Sequence, residues 1–216
     1  MSDIAVYGVP GSPYVRGVQL SLEEKGIAYD LRIVGVMETK QDAHLTRHPF
    51  GRVPAFEHGD FRLYETQAIL RYLEDVFPEP GLTPPDPRAR ARMNQIIGIN
   101  DCYFFPKVAA IMVGQRIVAP ALLGMKTDEA AVTAAVPMGR ICIAALDRLL
   151  GSRSFLAADQ LTIADLMLAP QLDFFVATPE GRAMLNGTRL QMWLERMNTR
   201  PSMVATRRPE RLRGAA

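Results

Sequence analysis

The chain has 216 residues, 48% of them apolar and 22% charged, and a formal charge of +2. That length allows one large domain or two small ones with buried cores, which argues against general disorder. The charge is too small for a nucleic-acid footprint, no apolar run approaches a bilayer span, and Cys102 and Cys142 have neither metal-ligand spacing nor a disulfide pattern, so both are expected to be core thiols.

In chain order, the first residues enter a strand-like run without the basic and apolar regions of a secretory signal, so the expected compartment is the cytoplasm. Short β-rich runs at residues 4–7, 29–34, 55–56 and 61–63 alternate with helical patterns around 16–25 and 66–77, which predicts a small α/β domain. Residues 77–87 (FPEPGLTPPDP) hold five prolines and a glycine, cannot continue a helix, and read as an extended connector that splits the chain. Beyond it, apolar residues recur at helical spacing, as in Ile96, Ile99 and Tyr103, or Ile141, Ala144, Ala145 and Leu149, and the second part is expected to be all-helical. Thr162-Ile163-Ala164-Asp165 forms a capping box, with Leu161 and Leu166 spaced as a hydrophobic staple across one helix start. The basic end, Arg207 to Arg213, reads as a solvated tail.

Three segments could carry chemistry. In Gly8-Val9-Pro10-Gly11-Ser12-Pro13-Tyr14-Val15-Arg16, a strand ends and a helix begins, with Ser12 suited to the N-cap and Pro13 to the first helical position. The Ser12 hydroxyl then lies at the positive end of a helix dipole, where it either caps the helix or meets an anion. In Phe50-Gly51-Arg52-Val53-Pro54-Ala55-Phe56, a turn leads into a strand whose proline belongs at the first position or an edge, with the Val53-Pro54 bond cis or trans. A cis bond would turn the Val53 peptide outward, where a peptide-like ligand can pair with it. In Leu63-Tyr64-Glu65-Thr66-Gln67, a second strand passes into a helix, and Thr66 either caps it or receives a carboxylate, with Glu65 facing an ammonium group.

The order and spacing of these segments, G-x-P-x-S-x-x-x-R-x-V, H-P-F-G-x-V-P-A-F and G-D-x-x-L-x-E-T-x-A-I, resemble the glutathione transferase superfamily, most closely its phi-like, serine-type members. Residues 155–166 and the run Trp193 to Met197 followed by Arg200-Pro201 extend the resemblance into the second half. The resemblance implies an N-terminal thioredoxin-like α/β domain over residues 1–78, a linker over 79–87 and an all-α C-terminal domain over 88–216. It implies a cytosolic enzyme, commonly a homodimer, that uses glutathione as co-substrate, no metal, and a small hydrophobic electrophile, with neither nucleic acid nor membrane as partner.

By the same resemblance, Ser12 matches the hydroxyl that hydrogen-bonds the glutathione sulfur. Lys40 falls where a basic residue meets the glycine carboxylate, Arg52 and Val53 flank the cysteinyl backbone ahead of Pro54, and Glu65 and Thr66 match the γ-glutamyl contacts. Arg52 and His48 stand where glutamine and asparagine are usual, and His44 and His58 are expected at the surface. The implied electrophile pocket, between the domains, would draw on Tyr14, Met37 and Tyr103. Arg16 adds positive potential near the sulfur or forms an ion pair between domains. Serine rather than cysteine at position 12 implies weak thiol-disulfide exchange, and no histidine close in sequence supplies the base that a nucleophilic serine needs. A glutathione-dependent peroxidase or isomerase, or a non-catalytic module that carries hydrophobic ligands, are the alternatives.

Overall fold

The computed structural model describes residues 3–210. Strand β1 (Ile4–Gly8) leads to helix α1 (Pro13–Glu24), then strand β2 (Asp30–Ile33), a 3-10 turn (Glu38–Lys40), the short helix α2 (Asp42–Leu45), strands β3 (Ala55–His58) and β4 (Phe61–Tyr64), and helix α3 (Thr66–Val76). The sheet order is β2-β1-β3-β4, with β1 and β2 parallel and the other pairs antiparallel. The parallel pair needs a crossover, which α1 supplies, while β3 and β4 join through a tight turn at Gly59. Ile4, Val6, Val15, Val18, Leu22, Phe56, Ile69 and Leu73 form one buried cluster, so alternate residues of the strands meet one apolar face of each helix.

The helical part comprises α4 (Pro87–Leu123), α5 (Glu129–Leu150), α6 (Ile163–Phe175), α7 (Pro179–Leu185) and α8 (Arg189–Asn198), and α9 (Pro201–Ala205) follows. The proline-rich connector ends at Asp86, whose carboxylate caps α4 by accepting from the Ala89 N–H at 2.7 Å, with Pro87 as the first helical residue. The chain divides into two units, residues 3–81 with 201–208, and residues 82–200 with 209–210, among those described. The 201–208 segment joins the first unit because α9 packs on α1. Ser202 Oγ donates to Glu24 Oε1 at 2.5 Å, and buried Arg16 reaches Met203 Sδ at 3.7 Å. Arg16 thus has a packing partner inside its own unit.

Several sequence expectations are corrected. Cys142 is buried but Cys102 is exposed, so only one of the two is a core thiol. On α5 the buried face is Val132, Ala135, Gly139, Cys142, Ile143, Leu146 and Leu150, whereas Ile141 is 62% exposed. A helix this rich in apolar residues carries more than one stripe at the same spacing, and period alone does not choose between them. On α4, Met93, Ile96, Ile97, Phe104, Val108 and Met112 are buried while Tyr103 is exposed. Residues Asn100–Ala109 there widen into a π-helix that contains Pro106, which lacks an N–H for the regular ladder, and its buried residues are Asn100, Phe104, Val108 and Ala109. By length and hydropathy α4 and α5 each reach the range of a bilayer span, contrary to the reading of uninterrupted apolar runs. Isolated charges break the run in sequence while the helix average stays apolar, and residues such as Met112 and Leu146 are spent on the core. Arg208 is buried rather than solvated, and Arg211, Leu212 and Arg213 lie outside the described residues.

Candidate active site

Sheet register gathers the candidate segments at one end of the first unit. Gly8 of β1 lies beside Ile33 of β2, Tyr7 lies opposite Ala55 of β3, and Ala55 lies opposite Tyr64 of β4. The segments that leave or enter the sheet at these positions are 9–12, 34–40, 51–54 and 65–66. Ser12, Lys40, Arg52, Val53, Pro54, Glu65 and Thr66 therefore come from neighbouring loops, although they span more than fifty positions of chain.

Ser12 closes the turn after β1, with its N–H donating to Val9 O at 3.0 Å and its C=O accepting from Arg16 N–H at 2.9 Å. Its hydroxyl makes no capping bond and has no other partner among the described residues. It stands free at the N-terminus of a 12-residue helix, where the first-turn N–H groups and the dipole favour a negative charge.

The Val53-Pro54 bond is cis, and β3 pairing begins only at Ala55. Among the described residues, no hydrogen bond takes up the Val53 N–H or C=O. Arg52 points to solvent, and its own carbonyl accepts from His44 Nε2 at 2.7 Å. Lys40 donates to Gly51 O at 3.2 Å and Phe50 O at 3.4 Å, which ties the 3-10 turn to this loop. Gly51 has φ +57°, and a Cβ there would lie 2.8 Å from Thr39 O, so the turn requires glycine.

Glu65, the N-cap of α3, has φ +70° and ψ 113° and is the only non-glycine residue with positive φ among those described. Such a conformation costs on the order of 1–3 kcal/mol and persists only where the surroundings impose it. Its exposed carboxylate has no ion pair or hydrogen bond among the described residues. Thr66 is buried, and its hydroxyl donates to Tyr14 O at 3.4 Å, joining the starts of α3 and α1, while its N–H is unpaired among the described residues. Of the proposed pocket side chains, Tyr14 is half-buried, Met37 is 78% exposed, and Tyr103, exposed on the helical unit, lies under Lys107 Nζ at 5.2 Å from its ring centre.

The histidines depart from expectation. His44 is 3% exposed rather than at the surface, because α2 turns it inward under the loop, and His58 is half-buried with Nδ1 2.8 Å from Tyr72 Oη. His48 is buried with its ring centre 4.9 Å from that of Tyr64, and burial holds it below the usual imidazole pKa despite the opposing pull of Glu65. Among the described residues, no group of three histidine, cysteine, aspartate or glutamate side chains is arranged to hold a metal ion.

Comparison with known proteins gives the family of both halves of the chain. The family described as Glutathione S-transferase, N-terminal domain, matches residues 6–81, and Glutathione S-transferase, C-terminal domain, matches residues 130–196. Glutathione S-transferase F6 of Arabidopsis thaliana is 30% identical over 207 residues, covering 94% of this chain and 98% of the relative. Glutathione S-transferase of Hyoscyamus muticus is 31% identical over 202 residues, covering 91% and 94%. The crystal structure of glutathione transferase F7 from Populus trichocarpa superposes with a TM-score of 0.84 at 27% identity, covering 94% of this chain and 97% of that one.

Proposed function

The chain belongs to the glutathione S-transferase family, with phi-like relatives, and from that premise we propose that it transfers the thiolate of glutathione to a small hydrophobic electrophile. The observation that carries the catalytic part is the Ser12 hydroxyl, uncommitted to capping at the start of α1.

A thiol with a pKa of about 8.5 is only about 3% ionised at pH 7, and lowering that pKa by about two units makes most of it thiolate. The shift requires about 2.7 kcal/mol of differential stabilisation. A hydrogen bond to a charged acceptor contributes roughly 1.5–3 kcal/mol and a helix N-terminus up to ~1, so Ser12 on α1 suffices in magnitude. Ser12 acts as a donor and not as a nucleophile. The unpaired Val53 peptide pairs with the cysteinyl backbone after the manner of an added strand. Glu65 takes the γ-glutamyl ammonium, the Thr66 N–H its carboxylate and Lys40 the glycine carboxylate, while Arg52 flanks the cysteinyl backbone beside Val53. Tyr14 and Met37 are the proposed first-unit contacts for the electrophile. Residues 1–78 are the proposed glutathione-binding domain and 88–216 the helical domain, of which the 201–208 segment returns to the first unit, in a cytoplasmic homodimer.

The test is conjugation of glutathione to a chromogenic aryl halide, together with retention on immobilised glutathione. Turnover well above the uncatalysed rate is expected. Folded protein that is retained yet gives no turnover would reject the transferase reading in favour of a binding module, and turnover of organic hydroperoxides in place of aryl halides would favour a peroxidase.

A further inference from the structure

We propose that His44 is a positioning residue: its Nε2–H fixes the Arg52-Val53 peptide in the orientation that a bound tripeptide pairs with. This inference rests on the glutathione reading above.

His44 is nearly inaccessible, and its Nε2 lies 2.7 Å from the Arg52 carbonyl oxygen. A carbonyl only accepts, so the proton of this bond is on Nε2. Nδ1 is buried without a hydrogen-bond partner among the described residues. The peptide that His44 grips is the one whose far end is the unpaired Val53 N–H. Short loops carry few restraints of their own, and here β3 pairing starts only at Ala55, so the imidazole is the side-chain restraint on the Arg52 carbonyl.

The imidazole is itself held. His48 stacks beside it, with ring centres 6.3 Å apart and planes at 21°, and packs in turn against Tyr64, the residue before Glu65. The His48 N–H also donates to His44 O at 2.9 Å. One row of rings therefore connects the loop at Arg52-Val53 with the loop at Glu65-Thr66, the two segments proposed to bind opposite parts of glutathione. Without the donor, the Arg52-Val53 peptide samples other orientations, and the ligand must bind the fraction of molecules in which it is correctly turned.

His44→Phe keeps a ring of similar size and removes the donor, whereas His44→Gln places an amide N–H near the position of Nε2. For His44→Phe, the KM for glutathione should rise about tenfold, with kcat at saturating glutathione within about twofold of the parent, and His44→Gln should recover most of the KM. Nitrogen-15 spectra of the parent protein should show the Nε2–H tautomer at His44, and the Val53 amide heteronuclear NOE should fall in His44→Phe and recover in His44→Gln. An Nδ1–H tautomer, an unchanged Val53 NOE in His44→Phe, or a Gln variant as impaired as the Phe variant would overturn the inference. The tautomer and the NOE do not depend on glutathione. If the parent protein fails to bind glutathione, the functional reading falls while these two measurements still decide the role of His44.

Discussion

At the scale of single residues, the site is defined by groups left without internal partners. Ser12 has the residue type and position of an ordinary N-cap, yet its side chain makes no cap bond. Sequence therefore located Ser12 but not the state of its hydroxyl, which depends on whether the turn aims Oγ at the N–H groups of α1 or away from them. Replacing Ser12 with alanine should raise the titration midpoint of bound glutathione thiol by about one to two units and lower the conjugation rate at pH 7 by roughly 10- to 100-fold, with little change in unfolding temperature. Thiolate absorbance in the binary complex and steady-state rates across pH measure both. Glu65 is a different case: its residue type suggested an ammonium partner, but its positive φ appears only in three dimensions. The burial of His44 is not legible in the sequence because α2 has only four residues, too few for a helical pattern to reveal which side faces inward.

At the scale of elements, the start of α6 shows the closest agreement between sequence and structure. The capping box closes, with Thr162 N–H donating to Asp165 Oδ2 at 2.9 Å and Thr162 Oγ1 to the same oxygen at 2.7 Å. Leu161 is half-buried and Leu166 fully buried on either side of this turn. The structure adds what the box is for. Asp165 Oδ1 also accepts from Leu156 N–H at 2.9 Å and Trp193 Nε1–H at 3.1 Å, so a single carboxylate joins a loop, the start of α6 and helix α8. Burial pushes its pKa up, while these four donors act in the opposite sense. Asp165→Ala would leave four buried donors without an acceptor and should destabilise the protein by about 3–5 kcal/mol. Urea unfolding of the variant against the parent tests this, and a loss below about 1 kcal/mol would mean that water replaces the carboxylate. Elsewhere on the surface of the helical unit, Arg116 holds Glu129 and Glu180 at 2.5 Å each and depresses the Glu180 pKa.

At the scale of the whole molecule, pH acts through groups whose environment only the folded chain creates. Burial lowers the His48 pKa from its ordinary value near 6.5. The unfolded chain then takes up a proton at higher pH than the folded one, so stability is fully present above about pH 6.5 and is lost as pH falls toward the folded value. The unfolding temperature should decline as pH falls below about 6.5, and His48→Asn should flatten that part of the profile; an unchanged profile would assign the decline to other groups. The alternation of strands and helices, the proline-rich connector, the capping box and the family to which the chain belongs are all legible in the order of residues. These are written in local spacing and residue type: Pro13 after Ser12, the five prolines of residues 77–87, Asp165 three positions after Thr162. Which stripe of α5 is buried, that Cys102 is exposed, that α9 returns to pack on α1, and that His44 and His48 are buried were decided by the tertiary structure. The physical reason is that local bonding sets the period of an element, whereas the face it buries and the partners its polar groups find are set by neighbours distant in the chain.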